Sequence, residues 1–213
     1  MHSSDEGYAR EVGAAGKSTV ASALVERQRG AVARRRIDVR ATRADWQTRA
    51  LGHELTHIVL ADRFANAVLP RWVDEGIAIL ADTHEKQHRH SRDLATALSV
   101  RAEFRVLELF ALDEYPPADR WATFYGQSAS LVRFLVEHAG EQQFLEFVEV
   151  SLEQGYEQGL QTAYGLGAQE LESRWRAHAH RTLAAEAAGE LAQNDTRPAA
   201  LNTPQPARAT VGL

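Results

Sequence analysis

Five residues, His53-Glu54-Leu55-Thr56-His57, constrain this chain more than any others, because their spacing makes a site only on a helix. Four residues apart, His53 and His57 lie one helical turn apart on one face and reach a single ion. Glu54 is offset by about 100°, where it holds a water rather than a metal. This is the H-E-x-x-H pattern of zinc hydrolases. From Trp46 to Asp62 there is no proline, and Leu51, Leu55, Ile58 and Val59 recur at helical spacing, with Asp45 as the N-cap. The expectation is a helix over about 45–61 with that apolar stripe in a core and the motif beside it. A helix with two core histidines, each bonded to something neutral, is the plainer reading of the same residues, so the surroundings decide.

A catalytic zinc takes three protein ligands and keeps a fourth position for water. After a connector from Arg63 to Leu69, Pro70 suits the first turn of a second helix, expected over 70–82. On it Trp72, Glu75, Ile79 and Asp82 share one face. A carboxylate on a packed face is costly unless paired or bound to a metal, which makes Glu75 the third ligand. Asp82 lies on the same face two turns later, where it either accepts a hydrogen bond from a ligand histidine or is a solvated helix end. Gly76 inside a helix costs roughly 1 kcal/mol relative to alanine, and close approach of another helix would justify it.

The segment His53 to Asp82, with H-E-L-T-H and then P-R-W-V-D-E-G-I-A, resembles the gluzincin metallopeptidases. More closely it looks like the bacterial peptidase MA-like domains, which pair H-E-x-x-H with a W-x-x-E-G-x-A helix. The likeness continues through Phe124-Tyr125-Gly126-Gln127-Ser128 to the region of Trp175, so it covers about Arg36 to Arg181. In that family His53, His57 and Glu75 match the zinc ligands and Glu54 matches the general base. Tyr125, just before Gly126 at the start of a helix, resembles the tyrosine that gluzincin aminopeptidases turn toward the oxyanion; a neutral phenol suits that role. The alternative for Tyr125 is a core aromatic beside Trp121 and Phe124. No G-x-M-E-N segment is present, so the resemblance implies an endopeptidase rather than an aminopeptidase.

Two other motifs carry less. His84-Glu85-Lys86-Gln87-His88 repeats the H-E-x-x-H pattern with His90 close behind, but no apolar stripe accompanies it, and a solvated, histidine-rich connector is expected. Gly13-Ala14-Ala15-Gly16-Lys17-Ser18-Thr19 ends like a phosphate-binding loop, yet Glu11 stands where that pattern needs its first glycine. A glycine-rich turn is expected there, without nucleotide binding.

At 213 residues one domain is expected, spanning 1–188: a β-rich start over 17–41, then helices over 45–188. The fold class is α+β, mainly helical, with a gluzincin-like core. Strands are expected over Thr19–Val25 and Ile37–Ala41 around a turn near Gly30, with Ile37–Arg40 as the edge that would pair with extended substrate. Helices follow over about 91–101, 104–111, 123–138, 141–153, 155–164 and 168–187. Gly189 to Leu213, with three prolines among Ala, Thr and Asn, is expected to be a disordered tail. His138, His178 and His180 are expected to be exposed or core histidines rather than ligands.

Charge is mildly acidic, 24 basic against 29 acidic residues, and Arg34-Arg35-Arg36 is a short strand-edge cluster, so no nucleic acid partner is expected. There is no cysteine, which excludes thiolate ligands and disulfides. Met1 to Glu6 form no signal peptide, and no apolar stretch reaches membrane-spanning length. The chain as given is therefore expected in the cytoplasm, or exported if its natural start lies upstream. Oligomeric state is not legible. The reading is a zinc-dependent peptidase acting on peptides or proteins, with Zn²⁺ on His53, His57 and Glu75, Glu54 as base, Tyr125 at the oxyanion and Asp82 behind a ligand. Rival readings are a catalytically silent zinc-binding scaffold or interaction module, and a structural helical protein with a coincidental motif.

Overall fold

The computed structural model describes residues 1–13, 19–43 and 50–195; the expected cap Asp45, Trp46, most of the glycine-rich turn and residues 196–213 lie outside them. The architecture is α+β and mainly helical, as expected. A short helix α1 (Asp5–Val12) precedes a hairpin of β1 (Ala21–Gln28) and β2 (Ala31–Val39). Then come α2 (Leu51–Arg63), α3 (Arg71–Leu80), α4 (His84–Ser99), α5 (Val106–Phe110), α6 (Trp121–Ala139), α7 (Glu141–Gln154), α8 (Tyr156–Tyr164) and α9 (Ala168–Asp195).

The hairpin turns on Arg29 and Gly30, both at positive φ (53° and 82°), the conformation that matches the twist of paired strands in a two-residue turn. Its register sets Ala21 opposite Val39 and Gln28 opposite Ala31, with an irregularity between Glu26 and Arg27. The outer edge of β2 is taken by the N-terminal segment, where His2 N–H donates to Val39 O and Ala41 N–H to His2 O, each at 2.9 Å. Arg34, Arg35 and Arg36 pair with Glu26, Asp62 and Glu11 respectively, the solvated ion pairs that their strand-edge position implies.

The main core lies among α3 to α9, where Trp72, Leu94, Phe124, Leu131, Leu135, Phe147, Leu160 and Trp175 are fully buried. Each such Leu or Phe contributes about 1.5–3 kcal/mol on burial. Among the described residues, the separate cluster under the hairpin consists of Ala21, Val39 and Ala50, with Val20 and Ile37 packed against it. The helices therefore hold the molecule together, and the hairpin is laid against them. Gly76 earns its place in α3 by that packing: a Cβ there would stand 2.6 Å from Val132 and 2.8 Å from the Ser128 carbonyl of α6. Gly126 does the same between α6 and α4, against the His90 carbonyl at 2.5 Å.

Three elements depart from the pattern read along the chain. Asp5–Val12 is helical, started by Ser4, whose hydroxyl accepts from Gly7 N–H. The histidine-rich connector at 84–90 is instead the opening of α4, seven residues before the expected start. The last helix continues through Asp195, past Gly189.

Candidate metal centre and cleft

α2 begins at Leu51 with Ala50 as N-cap. Its buried side is not the expected apolar stripe. Leu55 and Val59 are 45% and 64% exposed, whereas His53, His57, Leu60 and Phe64, at i, i+4, i+7 and i+11, turn inward. Half of the packed stripe is thus imidazole, which hydropathy does not score as core. Facing it, α3 turns Trp72, Val73, Glu75, Ala78 and Ile79 inward. Trp72 is anchored by stacking on Phe110 (centroids 4.8 Å apart) and by its indole N–H donating to Tyr156 at 3.0 Å. That anchor places Glu75, only 5% exposed, opposite the two histidines.

One donor atom each of His53, His57 and Glu75 lies within 4.8 Å of the other two, and this is the group of three donors found among the described residues that could hold a metal ion. His53 Nε2 stands 3.5 Å from Glu75 Oε2. Two donors at the usual zinc distances from a tetrahedral centre stand about 3.4 Å apart, so the spacing fits. Both histidines turn the other nitrogen to an acid: His53 Nδ1 is 3.1 Å from Asp82 Oδ2, and His57 Nδ1 is 2.8 Å from Asp74 Oδ1. Such bonds leave Nε2 directed at an ion and fix the ring. Asp74 had no assigned role from the sequence, because it adjoins Glu75 and falls off the face that Glu75 shares with Trp72.

Burial alone would lower the pKa of His53, but its hydrogen bonds to Asp82 and Glu75 outweigh that and push it up to about 10. His57 is raised too, against burial, by Asp74. Glu75 is held below the usual carboxylate range despite burial, by His53, by the charge of His57 and by the Tyr115 hydroxyl that donates to its Oε1. The cluster is therefore a network of charged, hydrogen-bonded groups whose protons a bound cation would displace.

Glu54 sits at the edge of the cluster, where burial pushes its carboxyl up and the two histidines pull it down, with a net rise. Its Oε2 accepts from Ala23 N–H at 2.6 Å. That contact identifies which strand flanks the site. Arg40 N–H bonds Val20 O across the hairpin, so alternation turns the main-chain groups of Ala21, Ala23 and Val25 away from β2. The expected substrate edge, Ile37–Arg40, instead belongs to the strand whose outer side the N-terminal segment occupies.

An open cleft of about 1010 Å³ runs between β1 and the helices, and His53, Glu54, His57, Asp74, Glu75, Asp82, Arg71, Lys86, His90, Tyr115, Trp121 and Tyr125 all reach it. Tyr125 makes no hydrogen bond among the described residues, and burial followed by the charge of Glu75 raises its pKa. Tyr115 also borders the cleft, from a loop just before Pro116-Pro117, and a loop residue has no periodicity to betray its direction. His84 and His88, the second motif, join no group of three metal donors among the described residues. His138, His178 and His180 likewise belong to none. No helix among the described residues is long and apolar enough to cross a membrane.

Residues 31–181 match the profile of a family described as the Peptidase MA superfamily. Neither the curated proteins nor the solved structures yield a match to this chain.

Proposed function

Because the chain belongs to the Peptidase MA superfamily, we propose that its cleft hydrolyses peptide bonds in peptides or proteins, with a zinc ion held by His53, His57 and Glu75. The observation that carries this reading is the convergence of three donors whose two histidines are each backed by a carboxylate. A bound zinc ion would supply Lewis acidity and bring the pKa of a water toward neutrality.

The chain's own groups account for the rest. Glu54 takes a proton from the attacking water and delivers it to the leaving amine; burial, which raises its pKa, suits a carboxyl that must both accept and donate. Tyr125, neutral and with its hydroxyl uncommitted, donates to the oxyanion, while Tyr115 is occupied in orienting Glu75. The outward main-chain groups of Ala21 and Val25, with the Ala23 carbonyl, pair with an extended substrate. A cleft open along β1, with no G-x-M-E-N segment to seize an amino terminus, favours an endopeptidase over an aminopeptidase.

Glu54→Gln tests the reading: the variant keeps its zinc and loses peptide cleavage, and retained cleavage would remove Glu54 as the base. A catalytically silent scaffold has one observation in its favour, the Ala23 N–H already seated on Glu54. Turnover of any peptide by the zinc-loaded wild type, abolished in Glu54→Gln, rules the scaffold out.

A further inference from the structure

The cations bordering the cleft differ in whether they are committed. Arg27 donates to the Phe64 and Ala65 carbonyls, and Lys86 is paired with Asp82 at 2.9 Å. Arg71 is different. Its guanidinium carbon lies 5.0 Å from the centre of the Tyr115 ring, and among the described residues it has neither a carboxylate within ion-pair distance nor a hydrogen-bond acceptor. The nearby acids are engaged elsewhere: Asp74 by His57, Glu75 by His53 and Tyr115, Glu54 by Ala23.

Position sharpens the contrast. Arg71 is the first residue of α3, where a cation opposes the helix dipole, so local structure does not favour it there. It is half-buried against an aromatic face, which holds the guanidinium plane while leaving its N–H groups unused. It also lies about one helical turn before Glu75 and lines the same cleft as the three donors. A planar fork of unused donors in a cleft, close to the reacting position, matches a carboxylate in shape and charge.

We propose that Arg71 is a specificity residue that binds a substrate carboxylate, so that the cleft prefers peptides carrying a negative charge within a residue or two of the scissile bond. This rests on the peptidase reading for its chemistry, though not for its binding. The carboxylate has two possible sources, an acidic side chain or a free C-terminus, and a binding experiment separates them. Fluorescein-labelled peptides of alanine, leucine and phenylalanine are made in three forms: with one internal glutamate and an amidated C-terminus, with internal glutamine and a free C-terminus, and with glutamine and an amidated C-terminus.

Fluorescence anisotropy with the zinc-loaded full chain should give one of the first two a Kd roughly tenfold below the third, the size of one charge-assisted pair. In Arg71→Gln that ratio should fall toward one, and Arg71→Lys should restore part of it. A tighter glutamate peptide assigns a side-chain pocket, and a tighter free-C-terminus peptide assigns release of C-terminal fragments. Equal Kd values for all three peptides, or a ratio untouched in Arg71→Gln, overturn the proposal. Because the ratio is taken within one protein preparation, partial misfolding of the variant cancels. Turnover of the same peptides is scored separately: absence of cleavage removes the peptidase reading and leaves the carboxylate anchor to be judged on the Kd ratio.

Discussion

The chain spells H-E-x-x-H twice, at His53–His57 in α2 and at His84–His88 in α4, and the two copies have opposite fates. In α2 the histidines face α3, which supplies Glu75 as a third donor and Asp74 as a backing acid, with Asp82 just beyond its end. In α4 the histidines occupy the first turns, while the residues that bury that helix, Leu94, Ala97 and Leu98, begin a turn and a half later. The spacing is identical, so spacing only proposes a site. A facing helix with a buried acid adds the third donor.

The second copy is nevertheless not idle. Its two inner residues serve the first: Lys86 Nζ holds Asp82 Oδ1 at 2.9 Å while Asp82 Oδ2 meets His53, and the Gln87 amide donates to the Leu80 and Asp82 carbonyls. A motif that gathers no third donor among the described residues thus closes the end of α3 and braces the carboxylate behind His53.

The largest test of this contrast is removal of the histidines themselves. His53→Ala should reduce zinc from about one per chain to none and abolish cleavage, whereas His84→Ala and His88→Ala should leave stoichiometry unchanged by elemental analysis. Zinc retained in the first variant and lost in the others would invert the comparison. Next comes Glu54→Gln, expected to lower kcat/KM by about 10²–10⁴ with zinc intact, against no effect for Glu85→Gln.

The first copy is also sensitive to acidity. His53 has its pKa raised to about 10 in the metal-free fold, and the ion must displace that proton. Zinc affinity should therefore climb by up to about tenfold per pH unit between pH 7 and 9, measured by competition with a chelator. The same elevation acts on metal-free stability in the opposite sense. Its stabilising contribution is complete below the unfolded value near 6.5 and is lost as pH rises through about 10, so the melting temperature of the apoprotein should fall across that window. A flat affinity profile would show that His53 carries no proton for the ion to displace.

Smaller effects come from the bracing residues. Asp74→Asn and Asp82→Asn should each weaken zinc binding by about 10–100-fold with the helices intact by circular dichroism. Lys86→Gln, one step further out, should weaken it only a few-fold, since its partner Asp82 keeps the bond to His53. If Lys86→Gln matched Asp82→Asn, the second copy would be part of the site rather than its support.

The helical part of the fold was legible because its signals are local: a 3.6-residue period, Pro70 before α3, glycines at 140, 155 and 165 between the later helices. The convergence of His53, His57 and Glu75 was legible for the same reason, each lying on a helix face that could be drawn from the chain alone. What was hidden depends on contacts far apart in sequence. Tyr115 reaches Glu75 from a loop 40 residues away, and Ala23 reaches Glu54 across 31. Leu55 and Val59 misled because a period marks a stripe without saying which stripe faces inward. The substrate edge was assigned to β2 because nothing in the strand sequences reveals that the N-terminal segment covers that side.

Glu75 and Gly76 have a consequence for anyone who sets out to make this protein hardier. Replacing an interior helical glycine with alanine is a standard way to gain about 0.4–1 kcal/mol, by curbing the freedom of the unfolded chain. At position 76 the added methyl would meet the Ser128 carbonyl at 2.8 Å and wedge α3 away from α6. The residue displaced with it is the neighbouring acid, Glu75, which stands 3.5 Å from His53. Ruggedness and chemistry are not separate knobs in this helix, and thermostabilising substitutions belong on the far side of the molecule, where no donor atom rides on the backbone that moves.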